Sequence, residues 1–321
     1  MLIPILWFSL GLVLLIKGGD WFVDGAVGIA PRFHVPEILI GATVVSIGTT
    51  LPEVMVSATS ALGGHGEIAY GNAIGSVICN TALISALTIA IRPSDANRSS
   101  LRLPVLFFFI AAVFYAGVAY FAGYFSRPVG FLLLALFCAY MALTVRQALS
   151  IPGKMQESSE SEADQPLWRS LLLLVVGAAF IAWGANLLVD NGTLIAAGLG
   201  VPESVIALTF VALGTSLPEL VTAITALAHG HSALSLGNII GANLFNLVLV
   251  SGLSTFLSPF ALPAGKTVAG LNASLAVDIP VMFLVMILLT LPALLRGKLA
   301  RWQGILLLCI YFCFCAFQFF L

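Results

Sequence analysis

The chain has 321 residues, of which 60% are apolar and 8% charged, with a net charge of −1. A soluble domain carries roughly a quarter charged residues, so this much apolar surface has to face lipid. The near-neutral balance excludes a nucleic-acid binder and a polybasic protein of the membrane surface.

About 20 apolar residues are needed to cross a bilayer as a helix. Ten such stretches are predicted, over 4–27, 37–62, 67–91, 103–122, 129–149, 169–190, 203–228, 232–257, 275–295 and 301–321. The first has no basic segment before it and runs on through Lys17 into Trp21–Val27, so it reads as a membrane helix and not as a cleaved leader. Short connections carry the breaker residues Gly63-Gly64, Pro93-Ser94, Arg127-Pro128, Pro259 and Arg296-Gly297. The one long polar stretch, 150–168, holds Pro152, Gly153, Glu157, Glu160, Glu162 and Asp164 and reads as a flexible linker. It separates a unit over 1–149 from a second over 169–321, each with five predicted spans. Cys79, Cys138, Cys309, Cys313 and Cys315 all lie in apolar runs without metal-ligand or redox spacing, and are expected to be small core residues.

Lysine and arginine in short loops set orientation. With the N-terminus outside, the inner loops hold Arg32, Arg92, Arg98, Arg102, Arg146, Lys154, Arg169, Arg296, Lys298 and Arg301, and the outer loops only Arg127 and Lys266. This asymmetry supports ten spans with both termini outside and 150–168 in the cytoplasm.

The chain also repeats itself. A shift of 166 residues places Gly18 on Gly184, Asp24 on Asp190, Glu53 on Glu219, Gly71-Asn72 on Gly237-Asn238 and Asn80 on Asn246. Between 37–80 and 203–246, 17 of 44 positions are identical, and the matches fall on Gly, Pro, Asn, Thr and Glu, which lipid-facing sequence does not favour. Five spans is an odd number, so the second copy enters the membrane upside down. Inverted repeats of this kind mark secondary transporters that bind cargo at the midplane between the halves.

Chemistry concentrates in Gly48-Thr49-Thr50-Leu51-Pro52-Glu53 and Gly214-Thr215-Ser216-Leu217-Pro218-Glu219. A carboxylate at the bilayer centre costs about 3 kcal/mol on insertion scales, and two brought together repel. A bound cation removes both penalties. Thr49 and Thr215 stand one helical turn before the glutamates, on the same face. Pro52 and Pro218 leave the carbonyls of Gly48 and Gly214 without their helical donors. Asn72, Ser76 and Asn80, and Asn238 with Asn246, add a polar stripe on the next span, where Asn72 and Asn238 are expected to serve packing. An all-oxygen set without His or Cys suits Ca²⁺ or Na⁺. Asp20, Asp24 and Asp190 are placed near the inner ends of spans one and six. Glu37 and Glu203 open spans two and seven, His65 and His231 sit in loops, and Asp278 lies in span nine without a counterpart.

The two segments GTTLPE…GNAIGSVICN and GTSLPE…GNIIGANLFN resemble the paired alpha-repeats of the cation/calcium exchanger superfamily, in its bacterial and archaeal sodium/calcium exchanger branch. The resemblance implies an all-α membrane fold of ten helices in two inverted five-helix repeats. It implies ion-binding groups at Thr49, Thr50, Glu53, Ser76 and Asn80, at Thr215, Ser216, Glu219 and Asn246, and at the backbone carbonyls of Ser46 and Ala212. Family members often have Ser at Ala242 and Asp at Asn246, so this site holds two carboxylates where others hold three. The implied function is antiport of Ca²⁺ against Na⁺ across an inner membrane by alternating access, by a monomer with no cofactor and no enzymatic activity. Coupling to K⁺ or H⁺ stays open. A passive channel would need a continuous pore, which an inverted repeat around a midplane site argues against. No Ser/His dyad or zinc motif lies within a span to support an intramembrane hydrolase.

Overall fold

The computed structural model describes residues 2–33, 35–150, 166–199, 214–265 and 267–320. Most of the predicted linker, 151–165, lies outside the described residues, as does 203–213, the first half of the seventh predicted span. Ten helices are present among the described residues. They are α1 (Leu2–Phe33), α2 (Glu37–Leu62), α3 (Gly66–Ile91), α4 (Arg98–Phe121), α5 (Arg127–Ser150), α6 (Leu167–Gly198), α7 (Leu217–Ala228), α8 (Ser232–Leu257), α9 (Ser274–Arg296) and α10 (Arg301–Phe320). Among the described residues nine of them are long and apolar enough to cross a membrane, and only α7, in its described part, is shorter.

Burial sorts the helices. Helix α8 is almost wholly enclosed, while α1, α5, α6 and α10 turn rows of large apolar side chains outward, such as Leu12, Leu132, Val175 and Phe312. These outward rows are the lipid face, and they correct one expectation. Cys79 is buried, but Cys138, Cys309 and Cys313 are exposed and Cys315 is partly so. In lipid an apolar run covers the outside of a helix as readily as its inside, so residue type alone does not report burial.

Six two-residue strands tie the loops together: β1 (Ser94–Asp95), β2 (Tyr124–Phe125), β3 (Phe260–Ala261), β4 (Thr267–Val268), β5 (Leu271–Asn272) and β6 (Lys298–Leu299). Strand β1, between α3 and α4, pairs antiparallel with β6, between α9 and α10. Strand β2, between α4 and α5, pairs with β3, between α8 and α9. Exchanging the two five-helix units turns one ladder into the other. The ladders cap opposite faces of the bundle, as the inverted repeat requires.

Helices α1 and α6 cross through glycine. A Cβ on Gly11 would come 2.9 Å from the Gly184 carbonyl, and one on Gly177 would come 2.8 Å from the Gly18 carbonyl. These two contacts are equivalents across the 166-residue repeat. As numbers rise along α1 they fall along α6, so the pair is antiparallel. Asp24 and Asp190 therefore lie at opposite ends of the pair and not both near the inner side, since inversion of the second unit reverses its helices.

Candidate cation-binding site

The site lies where α2 and α3 of the first unit meet α7 and α8 of the second. Helix α2 is not regular. It carries a π-type turn over Gly41–Val45, just before Ser46, and Pro52 in its interior. Wider turns also open at Asn80–Ser85 in α3 and at Asn246–Val250 in α8. Both therefore begin on the candidate asparagines, at equivalent positions. Such bulges shift the backbone ladder and recur at functional sites.

Close backbone approach packs α2 on α8. A Cβ added to Gly41 would run into the Leu234 carbonyl, one on Gly237 into the Ile38 carbonyl, and one on Gly241 into the Ser46 hydroxyl. These glycines bring the halves of the site together, as small residues do between membrane helices.

Glu53, Glu219, Asn80 and Asn246 are all fully buried, at 0% exposure, and Thr50 and Ser216 lie beside them in the same motifs. Glu53 lies in α2 and Glu219 in the first turn of α7, two of the elements that meet here. No hydrogen bond reaches either oxygen of Glu53 or Glu219, the side-chain amides of Asn80 and Asn246, or the hydroxyls of Thr50 and Ser216. Buried polar groups are almost always satisfied, and each exception asks for an explanation. Among the described residues no three His, Cys, Asp or Glu side chains are grouped so as to hold a metal ion, so the donor set here is two carboxylates with neutral oxygens. That set fits a hard cation of charge two, or two cations of charge one.

Of the other predicted residues, Ser76 is buried one turn before Asn80, and Thr49 is buried one turn before Glu53. Thr215 is half-buried, at the edge of a cavity. Ser46 is buried, and its hydroxyl donates to the Gly41 carbonyl at 2.7 Å, with the Asn238 backbone and side-chain oxygens 3.0 and 3.2 Å away. Ala212 lies outside the described residues.

The packing role expected for Asn72 and Asn238 understates them. Thr49 donates to Asn238 Oδ1 and Thr215 to Asn72 Oδ1, each at 3.3 Å. Asn72 also donates to the Glu53 carbonyl at 3.2 Å and to Ser57 at 2.8 Å. The signal was present, because both asparagines recur across the repeat on the face of Asn80 and Asn246. Sequence distance from the glutamates hid it, since the contacts join opposite units.

One flank of the site is open and the other closed. A cavity of about 880 Å³ runs between α2 and α6, lined by Leu51, Met55, Ala185, Asn186, Asp190 and Thr215 among others. Its equivalent on the opposite flank is filled: a Cβ on Gly19 of α1 would lie 2.7 Å from Val221 and 2.8 Å from Thr225 of α7. There His229 stands between Asp20 and Asp24, with Nε2 and Nδ1 each 3.6 Å from a carboxylate oxygen. Nearby His231 meets Glu37 at 3.1 Å. Asp278 in α9 accepts from Gln318 of α10 at 2.6 Å.

The family model of the sodium/calcium exchanger protein matches residues 3–146 and 169–320, both units and not the stretch between them. This chain belongs to the sodium/calcium exchanger family. It is 36% identical to an uncharacterized membrane protein of Methanocaldococcus jannaschii, over 95% of this chain and 94% of that one. It is 33% identical to the putative antiporter CaxA of Alkalimonas amylolytica, over 94% and 93% of the two chains. It is 29% identical to the sodium/calcium exchanger MaX1 of Methanosarcina acetivorans, over 97% of each. The solved structure of the sodium-calcium exchanger NCX_Mj, soaked with Na⁺ and Ca²⁺, superposes with a TM-score of 0.81 at 34% identity, covering 98% of both chains. The exchanger is thus a multi-pass membrane protein of two inverted five-helix units, and a transporter of cations.

Proposed function

We propose that this exchanger moves Ca²⁺ against Na⁺ through one central site that holds either ion in competition. The observation that carries this reading is the buried pair Glu53 and Glu219, whose four carboxylate oxygens have no protein donor. Thr50, Asn80, Ser216 and Asn246 supply neutral oxygens around them. Thr49, Ser76, Thr215 and the carbonyls of Ser46 and Ala212 complete the shell that replaces the ion's hydration. With Asn246 neutral the site carries two formal negative charges. One Ca²⁺ or two Na⁺ balance them, and a third Na⁺ would leave one positive charge on the loaded site.

Access alternates as the glycine-crossed pair α1 and α6 slides along the rest of the bundle. The cavity between α2 and α6, which reaches Thr215, supports this reading as the open pathway, and the packing of Gly19 on Val221 beside His229 as the closed one. The Lys and Arg distribution argues for termini outside an inner membrane and 150–168 in the cytoplasm. Residues 1–149 and 169–321 then act as the two halves of one transporting monomer.

The test is uptake of radiolabelled Ca²⁺ into proteoliposomes under separately imposed Na⁺, K⁺ and H⁺ gradients. The parent chain should take up Ca²⁺ when loaded with Na⁺, and Glu53→Gln or Glu219→Gln should abolish uptake. Undiminished uptake by either variant overturns the reading, and uptake driven by H⁺ alone replaces Na⁺ as the counter-ion.

A further inference from the structure

A serine or threonine buried in a helix commonly donates its hydroxyl proton back to the carbonyl four residues earlier. Thr43, Thr81, Ser85, Ser254 and Thr290 all do so here, at 2.6 to 2.8 Å. Thr49 departs from this habit: its proton goes across the unit boundary to Asn238 Oδ1. Thr215 makes the equivalent bond to Asn72 Oδ1 in the reverse direction. Two equivalent threonines thus donate a hydrogen bond to an asparagine of the opposite unit.

The alternative acceptor decides what this achieves. Thr49 stands one turn before Glu53 in α2, and Thr215 stands four residues before Glu219, just ahead of α7, so the carboxylates are competing acceptors. A hydroxyl has one proton to give and two lone pairs. Donated to Glu53 or Glu219, that proton would occupy a carboxylate lone pair a cation needs. Donated to an amide oxygen, it leaves the carboxylates untouched and fixes where the hydroxyl's own lone pairs point. An amide also carries no charge, so it draws no cation away from the glutamates.

Resting on the reading of Glu53 and Glu219 as the cation-holding pair, we propose that Asn72 and Asn238 are positioning residues of the site. Each accepts the hydroxyl hydrogen bond of a threonine in the opposite unit, so that threonine and carboxylate oxygens stay available to the ion together. Asn238 does this for Thr49, deep in the protein, and its side-chain oxygen also lies 3.2 Å from the Ser46 hydroxyl, whose nearest acceptor is the Gly41 carbonyl. Asn72 does it for Thr215 beside the cavity, and it also anchors the Glu53 carbonyl and Ser57. Because the bonds cross between units, each half of the site is oriented by the other half.

The experiment measures KM and maximal rate of Na⁺-driven Ca²⁺ uptake in proteoliposomes. The variants are Asn238→Leu, Asn238→Asp, Ser46→Ala/Thr49→Val and the triple combination. Loss of a group that orients a metal ligand typically weakens binding by about 10- to 100-fold. Asn238→Leu should therefore raise the Ca²⁺ KM about tenfold or more, with the maximal rate within about twofold of the parent. Asn238→Asp keeps the acceptor oxygen but adds a charge that the amide lacks, so it should recover only part of the lost affinity. Adding Asn238→Leu to Ser46→Ala/Thr49→Val should raise KM no further, since the partners it orients are gone. An unchanged KM in Asn238→Leu, a fall in maximal rate alone, or multiplicative effects in the triple variant overturns the proposal. If Asn238→Leu does not fold, Asn72→Leu tested alone and with Thr215→Val gives the same decision at the half-buried copy. Failure of the underlying reading looks different, because Glu53→Gln would then keep transporting while the asparagine effects stayed as measured.

Discussion

Gly184 meets Gly11 backbone to backbone: a Cβ on Gly184 would sit 2.7 Å from the Gly11 carbonyl oxygen and 2.9 Å from the Leu15 nitrogen. The obstacle is main chain, which cannot step aside as a flexible side chain can. Gly184→Leu should force α1 and α6 apart at a cost of about 1–3 kcal/mol, the range for overpacked interiors. Thermal unfolding in detergent should show a lower midpoint than the parent, and exchange should slow. An unchanged midpoint with full transport would show that the crossing is not needed.

The neutral Asn246 invites the opposite experiment. Asn246→Asp adds a third negative charge to the buried site, which three Na⁺ balance and one Ca²⁺ does not. Less Na⁺ should then be needed to displace half of the bound Ca²⁺, with a steeper dependence on Na⁺ concentration. Competition binding on purified protein reads this directly. An unchanged midpoint would mean that the added carboxylate does not face the ions.

Met55 and Val221 are equivalents in the repeat with opposite surroundings. Met55 lines the cavity, whereas Val221 packs on Gly19. In a chain whose five native cysteines are replaced, Met55→Cys should react with a charged thiol reagent several times faster than Val221→Cys. Reagent applied to one side of the membrane at a time gives the sidedness of the cavity. Equal reactivity would place the protein in another state in the bilayer.

His229 strengthens the closed flank, and nothing equivalent exists on the open one. Its partners Asp20 and Asp24 correspond to Asn186 and Asp190 at the cavity, while His229 itself corresponds to Gly63. His229→Ala should loosen the contact of α1 with α7 and raise the reactivity of Val221→Cys from the side opposite the termini. Reactivity at parent level would show that the packing of Gly19 closes this flank alone.

Ten helices were legible because membrane helices have to be long and apolar, and the inverted architecture because Glu53 and Glu219 fall in register. The glutamates and their neighbours could be named because carboxylates inside a bilayer need a reason to be there. What stayed hidden depends on direction and contact. Cys79 and Cys309 sit in similar apolar runs, yet one is enclosed and the other exposed. Asp190 looks like Asp24 in sequence, but the reversal of α6 carries it to the other end. The bonds of Asn238 to Ser46 and Thr49 join residues almost 200 positions apart. Nor do residue types distinguish the open flank from the closed one, since Leu51 and Met55 on one correspond to Leu217 and Val221 on the other.

The loop ladders bear on how the chain is joined. Strands β1 and β2 belong to the first unit and β3 and β6 to the second, and each pairs only outside its own unit. Neither unit can complete its loops alone, so the two behave as subunits that share one covalent thread. Severing that thread between 150 and 166 and co-expressing the two pieces should therefore reconstitute transport, much as a heterodimer assembles from separate genes.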